Sequence, residues 1–476
     1  MAEPMSATNP FLNFPYGPIQ MECEARDLVV EGEVPAELKG SFYRAGPNQR
    51  FKPRGEYHLF QGDGMVHAFH IQNGQVDYRN RWVRTAKWKL EDRAGRSLIN
   101  PMNPFDCDPD YSDFVFTDKD GTANTAMIYH GGRLLVMEEG HPPFEIDPVT
   151  LESIGSWNFR GKLQTAMTAH PKVDASSGEM VFFAYMATGP FAADLALHKV
   201  DAAGILTESH IIPIPYAAMV HDFIITENYI VFPIMPITGS LERAMEAGPP
   251  FAWEPDKGAY CGVLPRHGGT AEDVRWLPMD VRFAFHFMNG FDENGLITID
   301  ACEFPHAPLF PTADGQTSAK AVAHLSRWRI DMNQAEPRVE SNRLDEFESE
   351  FPQCDPRYQS RAYRHGWYAS TDGQVKAAIV ENENVYNTLG HWDHSTGEVE
   401  RYCCGKAQVS EPIFVPRGPD ALEGDGFLLS VATSFETRCS SLLIFDAQKL
   451  PDGPIARVHL NHYIPVGFHG TWRQSR

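Results

Sequence analysis

Apolar residues here fall in short runs broken at close intervals by turn-forming residues. Gly40-Ser-Phe-Tyr-Arg, Arg133-Leu-Leu-Val-Met, Met180-Val-Phe-Phe-Ala-Tyr, Tyr229-Ile-Val-Phe-Pro and Gly426-Phe-Leu-Leu-Ser-Val-Ala are rich in β-branched and aromatic side chains. Runs of this length and composition, bounded by Gly, Pro, Asp and Ser, predict β-strands. Helical spacing is scarce, and the clearest short helix predicted lies over residues 240–247.

Between strands the turns share a loose form: an apolar strand, an aspartate with Ser, Thr or Gly close behind, then another strand. Examples are Glu145-Ile-Asp-Pro-Val-Thr-Leu, Val173-Asp-Ala-Ser-Ser-Gly, Trp392-Asp-His-Ser-Thr-Gly and Ile444-Phe-Asp-Ala-Gln-Lys-Leu. An aspartate at such a place accepts a hydrogen bond from the backbone two residues on and so caps the turn. Strand, Asp-turn, strand over several hundred residues predicts an all-β array of antiparallel meanders, most naturally a β-propeller, with an array of β-sandwiches as the competing arrangement. Asn100-Pro-Met-Asn-Pro-Phe and Ala247-Gly-Pro-Pro-Phe-Ala-Trp read as long loops. No shift in composition marks a boundary, so residues 1–476 are expected to form one domain.

Composition narrows the classes of function. Hydrophobic residues at 42% and aromatics at 12% supply a large core and exclude a disordered polypeptide. With 41 Lys and Arg against 63 Asp and Glu, the net charge of −22 repels phosphate backbones, so nucleic acid is not expected as a partner. None of the eight cysteines forms a C-x-x-C pair, which is the usage of reduced thiols in a cytoplasmic protein. The first residues, Met-Ala-Glu-Pro-Met-Ser, lack the basic and apolar regions of a secretory signal, and no run of apolar residues is long enough for a transmembrane segment. A soluble, cytoplasmic protein is the expectation. Apolar loops such as Ala247 to Trp253 are suited to peripheral membrane contact.

Four histidines stand in or beside strand-like apolar stretches: His170, His221, His286 and His469. An imidazole in such a setting is either neutral and hydrogen-bonded or bound to something. A propeller brings one strand of each blade to a central axis, where histidines far apart in sequence converge. Imidazole ligands suit Fe, Cu, Zn and Ni alike. Three glutamates, Glu139, Glu350 and Glu411, lie in apolar or Pro-flanked surroundings, and a carboxylate that receives the second N–H of a ligating imidazole fixes its tautomer. From the residues alone, a mononuclear metal centre and a set of structural histidines both remain open.

A family resemblance runs from one end of the sequence to the other. Its marks are Gly40-Ser-Phe-Tyr-Arg-Ala-Gly-Pro-Asn, Gly62-Asp-Gly-Met-Val-His, Ala123-Asn-Thr, Ala169-His-Pro-Lys, His221-Asp-Phe, Phe285-His-Phe-Met-Asn, Glu350-Phe-Pro, Ser410-Glu-Pro-Ile-Phe-Val-Pro and Gly467-Phe-His-Gly-Thr-Trp. In this order they make the protein resemble the carotenoid cleavage oxygenases, a family that also holds lignostilbene dioxygenases and a retinoid isomerase. The resemblance implies a seven-bladed β-propeller with a loop and helix dome over the active-site mouth. It implies one Fe(II) per polypeptide, held by His170, His221, His286 and His469. Glu139, Glu350 and Glu411 match the glutamates that back three of those histidines, and Thr125 matches a threonine near the open position of the iron.

The reaction implied is the addition of O₂ across one C=C bond of a small, apolar, conjugated alkene, giving two carbonyl products. Apolar residues such as Phe60, Met102, Phe105, Phe287, Met288, Phe251 and Trp253 are candidates to line the substrate tunnel, with Glu138 at its wall. Lignostilbene-cleaving members hold the phenolic hydroxyl with a tyrosine and a lysine. This sequence has Glu138 at the lysine position and no tyrosine in Pro101-Met-Asn-Pro. A bare glutamate repels a phenolate, so a carotenoid or apocarotenoid is the favoured substrate and a stilbene-like or phenylpropenoid alkene the alternative. A non-oxidative isomerase and a metal-free binding propeller are further readings.

Overall fold

The computed structural model describes residues 9–101, 106–246, 248–372 and 385–475, and they are nearly all β. The apolar runs become the strands Gly40–Pro47, Arg133–Met137, Met180–Tyr185, Tyr229–Ile234 and Gly426–Ser434. The aspartate turns form as the sequence predicts. Asp147 Oδ1 accepts from Val149 N at 2.9 Å, Asp174 Oδ1 from Ser176 N at 2.8 Å, Asp393 Oδ1 from Ser395 N at 2.8 Å and Asp446 Oδ1 from Gln448 N at 3.2 Å. The short helix spans Leu241–Met245, with the Ser240 side chain accepting from Arg243 N as its cap; residue 247 lies outside the described residues.

Successive strands pair antiparallel into meanders. One unit holds Ala126–His130, Arg133–Met137, Phe144–Ile146 and Ser153–Ser156; the next holds Lys172–Val173, Met180–Tyr185, Asp194–Val200 and Leu206–Pro213. A third joins Ile224–Ile225, Tyr229–Ile234, Ala259–Pro265 and Arg275–Met279. A seven-stranded sheet then runs from Phe283–Glu293 to Glu398–Cys403. The N- and C-terminal strands interlock. Gly470–Gln474 pairs with Gly40–Pro47, and Val30–Gly32 pairs with Ala456–His459.

Apolar side chains fill the spaces between neighbouring sheets. Tyr43 and Val66 meet Leu134 and Phe144, Met137 meets Phe182, Phe183 and Leu195 meet Phe223 and Phe232, and Val231 and Val263 meet Ile299 and Trp328. Further along, Met288 meets Tyr368 and Trp392, Trp367 and Leu389 meet Phe414 and Leu443, and Val431 and Ile444 return to Phe42 and Phe69. Each fully buried side chain of this size contributes about 1.5–3 kcal/mol by leaving water. All eight cysteines are free thiols. Among the described residues no helix is long and apolar enough to cross a membrane.

Candidate metal centre and its cavity

The meander repeat sets the histidines in equivalent places. His170 stands two residues before the opening strand of its sheet, Lys172–Val173, His221 just before Ile224–Ile225, His286 lies within Phe283–Glu293, and His469 abuts Gly470–Gln474. These edge strands face a common centre, and one nitrogen from each of the four histidines lies within 4.8 Å of the others. The His170 ring sits edge-on to the other three, with centroids 4.5–5.0 Å away.

Carboxylates fix three of the rings. His221 Nδ1 lies 2.8 Å from Glu139 Oε2, His286 Nδ1 2.5 Å from Glu350 Oε2, and His469 Nδ1 2.9 Å from Glu411 Oε1. An ionised carboxylate only accepts, so at His221 and His469 the Nδ1 atoms carry the proton, His286 Nδ1 and Glu350 share one between them, and in each ring Nε2 is left for the centre. Glu411 is itself held by Gln353 Nε2 at 2.7 Å and Gly470 N at 2.8 Å. His170 has no carboxylate partner among the described residues.

The backbone around the cluster is tied together by Asp222. Its carboxylate takes Lys172 Nζ at 2.7 Å and Phe287 N at 3.1 Å, linking the residues that follow His170, His221 and His286. Thr168 Oγ1 donates to His221 O at 3.2 Å and accepts from His170 N at 3.1 Å. Phe351, next to Glu350, takes φ +52, and Ala123 of the Ala-Asn-Thr motif takes φ +48. Left-handed backbone at such residues costs on the order of 1–2 kcal/mol and persists where packing over-determines it.

Burial, and then the positive charge of neighbouring imidazoles, holds His170 and His286 well below the ordinary histidine range. Burial pushes Glu350 up to about 8. For His221 burial acts against protonation, but Glu139 outweighs it and raises the group. The donor set fits a divalent ion. His286 Nε2 is buried with no hydrogen-bond partner among the described residues. His170 Nε2 and His221 Nε2 lie 3.0 Å apart, the spacing of two imidazoles at right angles on an ion about 2.1 Å from each.

The cluster opens on a cavity of about 1060 Å³. Phe60, Thr125, Glu138, Phe285 and Phe351 are on its wall, with Phe191, Phe251 and Leu309 among its other apolar residues. Phe285 meets the His221 ring edge-on at 5.4 Å, and Phe351 stacks on His286 at 5.3 Å. Thr125 is set by the residues around it: its Oγ1 donates to Asn124 Oδ1 at 2.9 Å, its N to Met137 O at 3.0 Å, and its carbonyl accepts from His469 N at 3.1 Å.

A family model described as "RPE65: Retinal pigment epithelial membrane protein" matches residues 16–474. The chain belongs to that family, the carotenoid oxygenases. It is 38% identical over 467 residues to isoeugenol monooxygenase of Pseudomonas putida, with 96% of each protein covered. It is 37% identical over 473 residues to lignostilbene-alpha,beta-dioxygenase isozyme III of Sphingomonas paucimobilis, again with 96% of each covered. The crystal structure of Pseudomonas brassicacearum lignostilbene dioxygenase superposes with a TM-score of 0.94 at 35% identity, over 100% of both proteins.

Two expectations about this family member's cavity need correction. Phe287 is not on the wall; it is buried against Trp328, with ring centroids 5.4 Å apart. The pairing of Phe283–Glu293 with its neighbour is irregular on both sides of Phe287. That break in the alternation sends Phe285 to the cavity and Phe287 to the core. Met288 packs beside Gly366, and Trp253 is likewise off the wall. Met102 and Phe105 lie outside the described residues. The second correction concerns Glu138, which is not a bare carboxylate. Its Oε1 is hydrogen-bonded to His141 Nδ1 and its Oε2 accepts from Gly140 N at 3.2 Å.

Tyr185, His141, Lys172 and Asp222 join the site only in the folded structure. The last two stood inside the motifs Ala169-His-Pro-Lys and His221-Asp-Phe, which was the available signal. Tyr185 ends a strand and His141 precedes Pro-Pro, and neither carries a pattern.

Proposed function

We propose that the protein is a ferrous-iron-dependent oxygenase that uses O₂ to cleave the exocyclic C=C bond of a stilbene-like or phenylpropenoid aromatic alkene. The preference for a carotenoid or apocarotenoid gives way, because relatives 37–38% identical over nearly their whole length are named for isoeugenol and lignostilbene. The observation that carries the chemistry is four imidazoles, three held by carboxylates, converging at the floor of an aromatic-walled cavity.

His170, His221, His286 and His469 would hold the ion through neutral nitrogens, so its charge stays undiminished. When bound, ferrous iron supplies the redox chemistry that lets O₂ react with a closed-shell alkene. Glu139, Glu350 and Glu411 keep the rings in the required tautomer and orientation. Phe60, Phe285 and Phe351 exclude water and seat the aryl ring, and Thr125 borders the reacting bond. The balance is one alkene and one O₂ to two carbonyl products, with no external reductant and no side chain required as a base.

The fold is read as a seven-bladed propeller in one domain spanning 1–476. The first part of Val339–Cys354 pairs with His324–Asp331 and the last part with His365–Ser370, which divides the seven-stranded sheet into two blades. With that division, the cores shared by consecutive sheets support a closed ring of seven. The helices Ala86–Ala94 and Leu241–Met245 and the loops at the cavity mouth would form the dome.

The test is anaerobic loading with Fe(II), followed by oxygen uptake and product analysis with isoeugenol-type, hydroxystilbene and apocarotenal substrates. Two carbonyl products from the aryl alkenes are expected. Turnover of apocarotenals alone would overturn the substrate, an isomerised product without oxygen uptake would overturn the oxygenase, and an active iron-free preparation would overturn the metal.

A further inference from the structure

We propose that His141, held in place by Glu138, is the group that receives the phenolic oxygen of the substrate, so that the enzyme selects aryl alkenes carrying a free ring hydroxyl. The inference rests on the aryl-alkene reading above and names the substrate class within it.

Glu138 and His141 form one polar pole of a cavity with many aromatic walls, whose lining also carries Arg44, Lys87, Lys320 and Gln408. Both are on its wall, together with Asp118, Gly121 and Thr122. The pair borders the metal centre through a single peptide link, since Glu139, the next residue, reaches His221. His141 Nδ1 is engaged by Glu138, whereas its Nε2 has no hydrogen-bond partner among the described residues. The side chain is 32% exposed, so this second ring nitrogen is open to the cavity space. A histidine with one nitrogen on a carboxylate offers the other as a charge-assisted donor.

The pair is built into the backbone. Gly121 takes φ +60 and passes so close that a Cβ there would overlap both Glu138 Oε1 and His141 Nδ1. Only glycine leaves room for the two side chains to meet. The charged groups facing His141 are Glu138, Asp118 and Asp120. Burial disfavours its protonated form, but Glu138 and then the two aspartates outweigh burial and lift it to about 9. The imidazolium therefore persists at neutral pH.

This arrangement reverses the reading of Glu138 as repulsive to a phenolate. Its charge is spent on His141, and the cationic donor sits three residues further along the sequence. An N–H donated from there to a phenol oxygen would orient the ring end at this pole and stabilise negative charge on that oxygen.

The test compares trans-4-hydroxystilbene with trans-4-methoxystilbene. Binding to the iron-loaded enzyme is followed anaerobically by ligand fluorescence, and kcat and KM are then measured in air. The wild type is expected to prefer the hydroxystilbene. His141→Asn should weaken hydroxystilbene binding by on the order of tenfold and leave the methyl ether unchanged. Glu138→Gln, which keeps the wall's shape, should move the ratio the same way. The double variant Glu138→Lys, His141→Asn should restore the preference with a cation of its own. If His141→Asn weakens both ligands equally, or leaves the ratio untouched in an enzyme that cleaves both stilbenes, the inference falls alone. A wild type that cleaves neither these stilbenes nor isoeugenol and its methyl ether removes the aryl-alkene reading and this inference with it; one that cleaves only the isoeugenol pair is tested by the same ratio on that pair.

Discussion

Tyr185 Oη donates to Glu139 Oε1 at 3.0 Å, on the carboxylate whose other oxygen faces His221 Nδ1 at 2.8 Å. Burial, with Glu139 beside it, holds the Tyr185 phenol well above its ordinary range, so it stays a donor. The tyrosine thus positions a glutamate that in turn positions a candidate ligand. Removing the hydroxyl with Tyr185→Phe is expected to cost about 1.5 kcal/mol in metal binding, roughly tenfold in affinity. Iron retained against a chelator series measures it, and unchanged retention would remove Tyr185 from the line of support.

Neutralising the carboxylates should act more strongly. Glu350→Gln and Glu411→Gln each leave the ring in place but weaken its hold, and a loss of about 10–100-fold in metal affinity is expected. Glu411 also receives Gln353 and Gly470, so Glu411→Gln should lower the melting temperature of the metal-free protein as well. Chelator competition and thermal unfolding on each variant separate the two effects.

Stripping the metal should destabilise the fold. Four imidazoles gathered within 4.8 Å would be stabilised by an ion that binds only the native state. At a free Fe(II) concentration about 100 times its dissociation constant the gain is about 2.7 kcal/mol. Anaerobic thermal unfolding with and without Fe(II) is the measurement; equal midpoints would argue for purely structural histidines.

His141 gives a defined pH response. Its folded value, about 9, is raised above the ordinary 6.5, with burial opposing and Glu138 and the aspartates prevailing. The stabilisation is therefore complete below about 6.5 and is lost as pH rises to about 9. His141→Asn should flatten the fall in stability across that window relative to the wild type, as read from denaturant midpoints at stepped pH.

Gly121→Ala should destabilise the protein by about 1–2 kcal/mol from backbone strain alone. It should also break the Glu138–His141 pair, because the new methyl would stand 2.3 Å from Glu138 Oε1. Unfolding and the hydroxystilbene-to-methoxystilbene ratio should change together. A stable variant with an intact ratio would contradict the close approach.

Much of the architecture was legible because its signals are local. The Asp147, Asp174, Asp393 and Asp446 turns need only the chemistry of one side chain and the amide two residues on. Phe287 was misplaced because the alternation rule fails at a strand irregularity, which depends on the partner strand and not on Phe-His-Phe. Glu138 was misjudged for a related reason. Its charge was visible in sequence, whereas the left-handed turn at Gly121 that brings His141 against it belongs to the folded backbone.

The sequence by itself determined the strands, their turns and, through motifs in fixed order, the family and the residues of the candidate metal centre. Tertiary structure alone decided which nitrogen of each histidine faces the centre, which phenylalanines reach the cavity, and what neutralises Glu138. Residue identity sets what a group can do, but hydrogen-bond direction, burial and charge pairing depend on neighbours that only folding brings within a few ångströms.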